Sequence, residues 1–440
     1  MSEKQKQSTA LVWFTKDLRV RDNHSLLKAL KENQKTIAVY CFDPRNFSTT
    51  KYGFKKTEKF RAKFLIETVK NLRKNLQNYN ITLLVFHKRP EFIFFEIIQK
   101  HNITSIYCQK EWTSEEISVL RKVKQVSPNC NFIETYDQFL FHPTDIPFSS
   151  FSEIPEVFTN FRKKVEDKAE VRNCVDYPEI QPANNLLESH TETPNLSDLG
   201  LEEFEVDIRS AFPFKGGEDA AEERLQEYFW ETQNLKNYKQ TRNGLLGSEY
   251  SSKFSAWLAN GSISPRFIYE EVKRFEREIV ANESTYWLVF ELLWRDYFKY
   301  VSLKHGSKIF QLKGISNKSL DWNNNSDILK IWIEGKTKAP FVNANMKEIA
   351  ATGFMSNRGR QNVNSFWAKE LLQDWRIGAA YFESMLIDYD VHSNWGNWMY
   401  NSGVGNDPRD RKFNIQSQAK RYDPDQKYQQ TWLGGQKELF

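Results

Sequence analysis

Five short apolar runs in the first third of the chain are separated by amphipathic stretches, and beyond residue 217 the strand pattern stops. That switch constrains the fold more than any other feature. The runs occupy residues 10–14, 36–42, 81–86, 105–108 and 132–136. Between the second and third, Phe60, Phe64, Leu65, Val69, Leu72 and Leu76 recur at helical spacing. Alternation of this kind predicts an α/β doubly wound domain over residues 1–145, a parallel sheet covered by helices on both faces. No Gly-x-Gly-x-x-Gly follows the first run, so the usual dinucleotide fingerprint is missing. Residues 146–215 carry many prolines, scattered acids and little periodicity, which predicts a long connecting linker. From Gly217 helical patterns take over, giving an all-helical domain over 216–440. Ser264-Pro265 reads as a helix start, with a serine cap and proline at the first helical position. Stretches 282–304, 340–352 and 361–388 keep apolar residues on one face. A chain of 440 residues exceeds what one core organises, which agrees with two domains and a connector.

The charge balance, 62 basic residues against 57 acidic for a net of +5, excludes a globally basic nucleic-acid coat. A local basic patch around a cleft remains open. Cys41, Cys108, Cys130 and Cys174 form no Cys-x-x-Cys pair, and the seven histidines show no metal spacing. Neither a disulfide framework nor a metal site is expected, which fits a reducing compartment. No signal or transit pattern precedes Ala10, and no apolar stretch is long enough to span a bilayer. The expectation is a soluble cytoplasmic protein without membrane contact.

Eleven of the thirteen tryptophans lie after residue 229. Their density beside acidic residues at 386–400 points to a buried aromatic cofactor or electron traffic, or else to an aromatic-rich helical core. Three further constellations stand out. Ser251-Ser252-Lys253-Phe254-Ser255, opening a helix through Trp257 and Leu258, offers hydroxyls and free N–H groups for a phosphate; ordinary capping is the alternative. Glu291, Trp294 and Arg295 fall three and four residues apart on one helical face, as a ligand pocket or as a surface ion pair with a packed indole. Arg358 and Arg360, leading into a helix over 363–375, can pair with Asp388 and Asp390, bind phosphate, or form a solvated basic turn.

In that order, SSKFS, ELLWRDYF, TGFMSNRGR, DWRIGAAYF and LIDYDVHSNWGNW resemble the flavin domain of the photolyase/cryptochrome family. The opening Trp13-Phe14-Thr15-Lys16-Asp17-Leu18-Arg19 with Asp22-Asn23 resembles the family's N-terminus. The segments at 154–162 and 418–424 are similar to the DASH cryptochrome branch. The resemblance implies FAD held by Tyr238, Arg242, Ser251, Ser252, Lys253, Phe254, Ser255, Arg360, Asp388 and Asp390, with Arg360 paired to Asp388. Asn394 would face flavin N5, where an amide accepts a hydrogen bond from protonated N5 and favours reduced flavin. Trp398, Trp375 and Trp322 match an electron-hopping chain to the surface.

Glu291, Trp294, Arg295, Asn357 and Gln361 match a lesion pocket, where Phe354 and Tyr400 replace the tryptophans of bacterial photolyases. Smaller aromatic faces there imply a preference for single-stranded DNA. Glu111, after a strand end, resembles a pterin-contacting carboxylate, which implies a methenyltetrahydrofolate antenna; an ordinary turn capped by Thr113 or Ser114 is the alternative. The implied function is blue-light repair of cyclobutane pyrimidine dimers in single strands, and the resemblance implies a monomer. A flavin photoreceptor with a signalling role is the other reading. A dark folate or nucleotide enzyme would need a catalytic His or Cys constellation that the sequence lacks; His392 reads as polar packing.

Overall fold

The computed structural model describes residues 8–188 and 191–434, so the outermost parts of the expected domains, 1–7 and 435–440, lie outside the described residues. The N-terminal domain runs β1 (Thr9–Trp13), α1 (His24–Glu32), β2 (Lys35–Cys41), α2 (Lys59–Gln77), β3 (Leu83–Phe86), α3 (Pro90–His101), β4 (Ile103–Gln109), α4 (Ser114–Val126) and β5 (Asn131–Thr135). The sheet is parallel throughout, in the order β3-β2-β1-β4-β5. All five expected strands are present. Alternation of side chains sorts the central strand to two cores. Ala10 and Val12 join one apolar cluster, Leu11 and Trp13 the other, and every residue of β1 is buried. Burial on both faces is why these strands read as continuous apolar runs.

The connector contains more structure than its composition suggested. A helix α5 (Phe158–Lys168) buries Phe158, Phe161 and Val165, and from there to Gly217 the described residues are largely without regular structure. The helical domain follows as α6 (Glu218–Leu225), a π-turn at Gln226–Glu231, α7 (Tyr238–Thr241), α8 (Ser255–Asn260), α9 (Pro265–Glu278) and α10 (Glu283–His305). Then come α11 (Ser326–Ile333), α12 (Pro340–Thr352), α13 (Asn357–Lys369), α14 (Trp375–Met385), α15 (Val391–Ser402), α16 (Ile415–Tyr422) and α17 (Lys427–Leu433).

Ser264 caps α9 through its side chain and Pro265 takes the first position, as read. The apolar stretch 361–388 is two helices, not one. Leu372 adopts φ +53, Asn323 bridges to Gln373, and Asp374 caps α14, so tertiary pairing overrides a continuous helical pattern. The basic turn at 357–361 is likewise the first turn of α13, capped by Ser356, rather than a loop before a helix at 363.

Buried charges lock the domains together. Arg266 of α9 pairs with Asp22 at 2.9 Å and Asp137 at 3.4 Å, and Arg19 donates to the Gly261 carbonyl at 3.0 Å. Asp296 of α10 accepts from the N–H groups of Leu140 and Phe141, each at 2.9 Å. Gly261 has φ +76, and a Cβ there would lie 2.0 Å from the Lys16 carbonyl, so the junction requires glycine. Among the described residues no helix is long and apolar enough to cross a membrane.

Candidate functional site

The segment Ser251–Ser255 is shaped by a residue the sequence reading missed. Arg224, with its side chain fully buried, draws in the carbonyls of Ser248 and Ser251 at 3.2 Å and of Ser252 at 3.3 Å. Its charge is balanced by Glu227 and Glu249, both at 2.9 Å. With the carbonyls gathered on Arg224, the N–H groups of residues 251–255 donate to no protein acceptor among the described residues. Lys253 takes the left-handed conformation, φ +64. Its ammonium is buried without a hydrogen-bond partner, over the rings of Tyr250 and Phe354, and burial pushes its pKa well down. Unpaired N–H groups, free hydroxyls and an unpaired buried cation form an anion seat. Those residues fit the pyrophosphate of a dinucleotide. Only Ser255 lies in α8; the rest is a loop, and Phe254 makes no side-chain cap.

A second group lies at the start of α13 and α15. The Arg360 guanidinium meets both oxygens of Asp388, at 2.8 and 2.9 Å, and Asp388 is buried. Arg358 does not join a carboxylate; it donates to Gln361 at 2.9 Å and Asn243 at 3.1 Å. Asp390 pairs with Lys299 of α10 at 3.1 Å, not with an arginine, because α10 packs against α15. Burial opposes ionisation of Asp390, but Lys299, His392 and Arg295 outweigh it and hold its pKa well below the usual range. His392 is held at Nδ1 by Ser302 Oγ, 2.7 Å away, and stacks on Trp112; burial lowers its pKa.

Asn357, Arg360, Gln361, Asn364, Phe382, Asn394, Asn397, Trp398 and Asn401 enclose a cleft of about 30 Å³. Asn394 Nδ2 donates to the Ala379 carbonyl at 3.0 Å. A carbonyl can only accept, so the amide nitrogen faces Ala379 and Oδ1 is left as a free acceptor. The sequence reading found the residues at both rims of this cleft and missed Asn364, Asn397 and Asn401, which ordinary helical asparagines do not betray.

Glu291 and Trp294 stand one turn apart on α10. Glu291 pairs with Arg242 at 2.8 Å; burial raises its pKa and Arg242 opposes the rise. Arg242 also lies 6.0 Å from the Tyr238 ring, so α7 and α10 together present the expected residues. Trp294 stacks on Phe158 of the connector helix at 3.7 Å and meets Tyr400 edge-on at 6.0 Å. Tyr400 is held by Arg411, whose guanidinium donates to the phenol at 2.8 Å. Arg295 is the exception. It donates to the carbonyls of Gln138 at 2.6 Å and Leu258 at 3.0 Å and acts as a domain clasp, apart from Glu291. Phe354, expected as a pocket wall, is instead buried against Phe212 at 5.5 Å and under the Lys253 ammonium, because the turn after α12 carries it to the anion seat.

The expected electron chain is spread across the aromatic core. Trp375 is fully buried on α14, and Trp398 is buried on α15 against Gly378, where a Cβ would lie 2.2 Å from the indole. Trp322 is half-buried and meets no other ring closely among the described residues. Its neighbour Asn323 bridges to Gln373, which brings the segment near the start of α14.

Glu111 lines a separate cavity of about 850 Å³ between the domains. Residues after β1 (Phe14–Lys16), β2 (Phe42, Asp43) and β4 (Glu111, Thr113) meet Ala380, Glu383, Tyr389 and Trp395 of the helical domain there. Strand order reverses between β1 and β4, and such a switch point opens a crevice at the carboxyl ends of the strands. Burial raises the pKa of Glu111, opposed chiefly by Lys16, 3.9 Å away.

The family model described as the FAD binding domain of DNA photolyase matches residues 287–439, and the DNA photolyase model matches residues 10–183. The helical half is thus an FAD-binding domain of the photolyase type. A cryptochrome DASH of Gloeobacter violaceus is 48% identical over 428 residues, covering 97% of this chain and 85% of the relative. A solved cryptochrome of Synechocystis sp. superposes with TM-score 0.94 at 46% identity, covering 99% of this chain and 91% of that one. A bacterial class III photolyase of Agrobacterium tumefaciens shares the fold, with TM-score 0.82 at 24% identity over 98% of this chain and 88% of that one. The chain belongs to the photolyase/cryptochrome family, in its DASH branch.

Proposed function

We propose that the protein repairs cyclobutane pyrimidine dimers in single-stranded DNA under blue light. The observation that carries this reading is the half-buried Glu291 carboxyl beside Arg242, one turn from Trp294. Reduced flavin, when bound, supplies under blue light an electron that returns once the cyclobutane ring has opened. Ser251, Ser252, Lys253, Phe254 and Ser255 would hold its pyrophosphate, and Arg360 with Asp388, and Asp390, its ring and ribityl region. Asn394 Oδ1 would accept from N5–H. Glu291, its pKa raised by burial against the opposing pull of Arg242, would hydrogen-bond the pyrimidine edge and stabilise the charge that develops on the dimer. Trp294, already aligned by Phe158, stacks on the dimer, while Asn357, Gln361 and Tyr400 flank it. Trp398, Trp375 and Trp322 would carry electrons when the flavin is reduced by light.

Flipping a dimer from a duplex costs a few kcal/mol of unstacking and unpairing, and little from a single strand. Tyr400 offers less stacking surface to repay that cost. Methenyltetrahydrofolate would occupy the interdomain cavity against Glu111 as an antenna. A cytoplasmic monomer completes the proposal. The test is repair of a dimer-containing oligonucleotide, single-stranded and duplex, in blue light and in darkness. Repair confined to illuminated single strands is expected. Flavin that photoreduces while neither substrate is repaired would favour the photoreceptor reading.

A further inference from the structure

The aromatic core gives the middle indole of the proposed chain a close indole partner outside that chain. Trp375 meets one other indole closely among the described residues, Trp395, with ring centroids 5.7 Å apart at 78°. Trp398 instead contacts Phe382 at 5.0 Å and Trp332 at 6.5 Å. Trp395 follows Asn394 on α15 and lines the interdomain cavity of about 850 Å³. Its Nε1–H is shared between Glu383 Oε2 and the Tyr389 hydroxyl, each 3.3 Å away.

The surroundings of the indole nitrogens differ in a way that matters for one-electron oxidation. An indole that loses an electron becomes a strong N–H acid, and the radical lasts if the proton has somewhere to go. Trp322 and Trp332 have buried Nε1 groups with no partner, and Trp375 donates to the Leu312 carbonyl, which is a poor base. Trp395 alone among these faces a carboxylate. Glu383 is buried, and burial raises its affinity for a proton, moderated by Lys56 and Arg61.

We propose that Trp395 is a redox-active branch of the electron path that ends at the interdomain cavity, with Glu383 as its proton acceptor. This rests on the reading of Trp398 and Trp375 as electron carriers. Light-excited oxidised flavin is the oxidant, and it draws one electron from Trp375 through Trp398. Trp395 then passes one electron to the oxidised Trp375. Its N–H bond breaks heterolytically, and the proton moves along the existing hydrogen bond to Glu383, leaving a neutral Trp395 radical and a neutral carboxyl. A small one-electron reductant in the cavity, such as a thiolate, supplies the electron that restores Trp395, and Glu383 returns the proton. The branch thus joins flavin reduction to the chemistry of the cavity contents.

Transient absorption of the flavin-loaded protein, starting from oxidised flavin, tests this. The parent should form a long-lived deprotonated indole radical with a solvent isotope effect on its appearance. Trp395→Phe should lose that radical, Trp395→Tyr should replace it with a tyrosyl signal, and Glu383→Gln should leave the protonated radical cation and remove the isotope effect. The tyrosine variant preserves the test if the phenylalanine variant misfolds. A parent-like neutral radical in Trp395→Phe, abolished by Trp375→Phe, would overturn the branch while keeping the chain. A parent-like yield in Trp375→Phe would overturn both. An unchanged isotope effect in Glu383→Gln would remove Glu383 from its role.

Discussion

The two clefts of this molecule are built in opposite ways. The narrow one, about 30 Å³ between α13, α14 and α15, is walled mostly by amides, with Phe382, Trp398 and Arg360, whose guanidinium is closed onto Asp388. The wide one, about 850 Å³ at the sheet switch point, is assembled from residues as far apart as Trp13 and Trp395. Local segments set the first, with neighbours one helical turn apart. Topology sets the second, because no short segment contains enough of it to recognise. The narrow cleft should therefore fail when a single charge is removed, while the wide one should lose its ligand selectively and leave the rest intact.

Arg360→Ala should have the largest effect. It leaves the buried Asp388 carboxylate without its guanidinium, at a cost of about 3–5 kcal/mol, and should release the flavin. Flavin absorbance after gel filtration and a denaturant titration measure both. Retained flavin with parent stability would show that the pair does not hold the narrow cleft together.

On α12 the pKa of the Glu348 carboxyl is raised by burial to about 8, and Tyr428 donates to it at 2.6 Å. A folded-state value above the ordinary 4.5 means the folded form binds the proton more tightly. The contribution to stability is then fully present below about pH 4.5 and is lost as pH rises towards 8, at about 1.4 kcal/mol per pH unit. Glu348→Gln should flatten the parent's decline in stability between those values. Equal slopes in the two proteins would contradict this origin.

For the wide cleft, Glu111→Gln should lower retention of added methenyltetrahydrofolate about tenfold, equivalent to about 1.4 kcal/mol, with flavin content unchanged. Loss of both chromophores would break the contrast between the clefts. The smallest effect is expected of Tyr400→Trp. A larger ring beside Trp294 should add about 0.5–1.5 kcal/mol of stacking and raise duplex repair severalfold.

The same contrast explains what the sequence revealed. The five strands and the cap at Ser264 were readable because alternation and caps act locally, whereas the pairing of Arg360 with Asp388, 28 residues apart, followed from the family resemblance. Arg295 misled, since helical spacing placed it with Glu291 while the carbonyls of Gln138 and Leu258 drew its guanidinium away. Arg224, Phe158 and Lys299 were invisible for the same reason: each serves the site through partners that only the fold supplies. The break at Leu372 was hidden because the apolar pattern continues across it.

The most direct test compares the parent with Glu291→Ala, both flavin-loaded and photoreduced, on a dimer-containing single strand under blue light. Removing one charge-stabilising group from a dry pocket typically costs about a hundredfold in rate. The account predicts repair by the parent, and a variant that keeps its flavin but repairs about a hundredfold more slowly. Equal rates, or no repair by the parent, would contradict it.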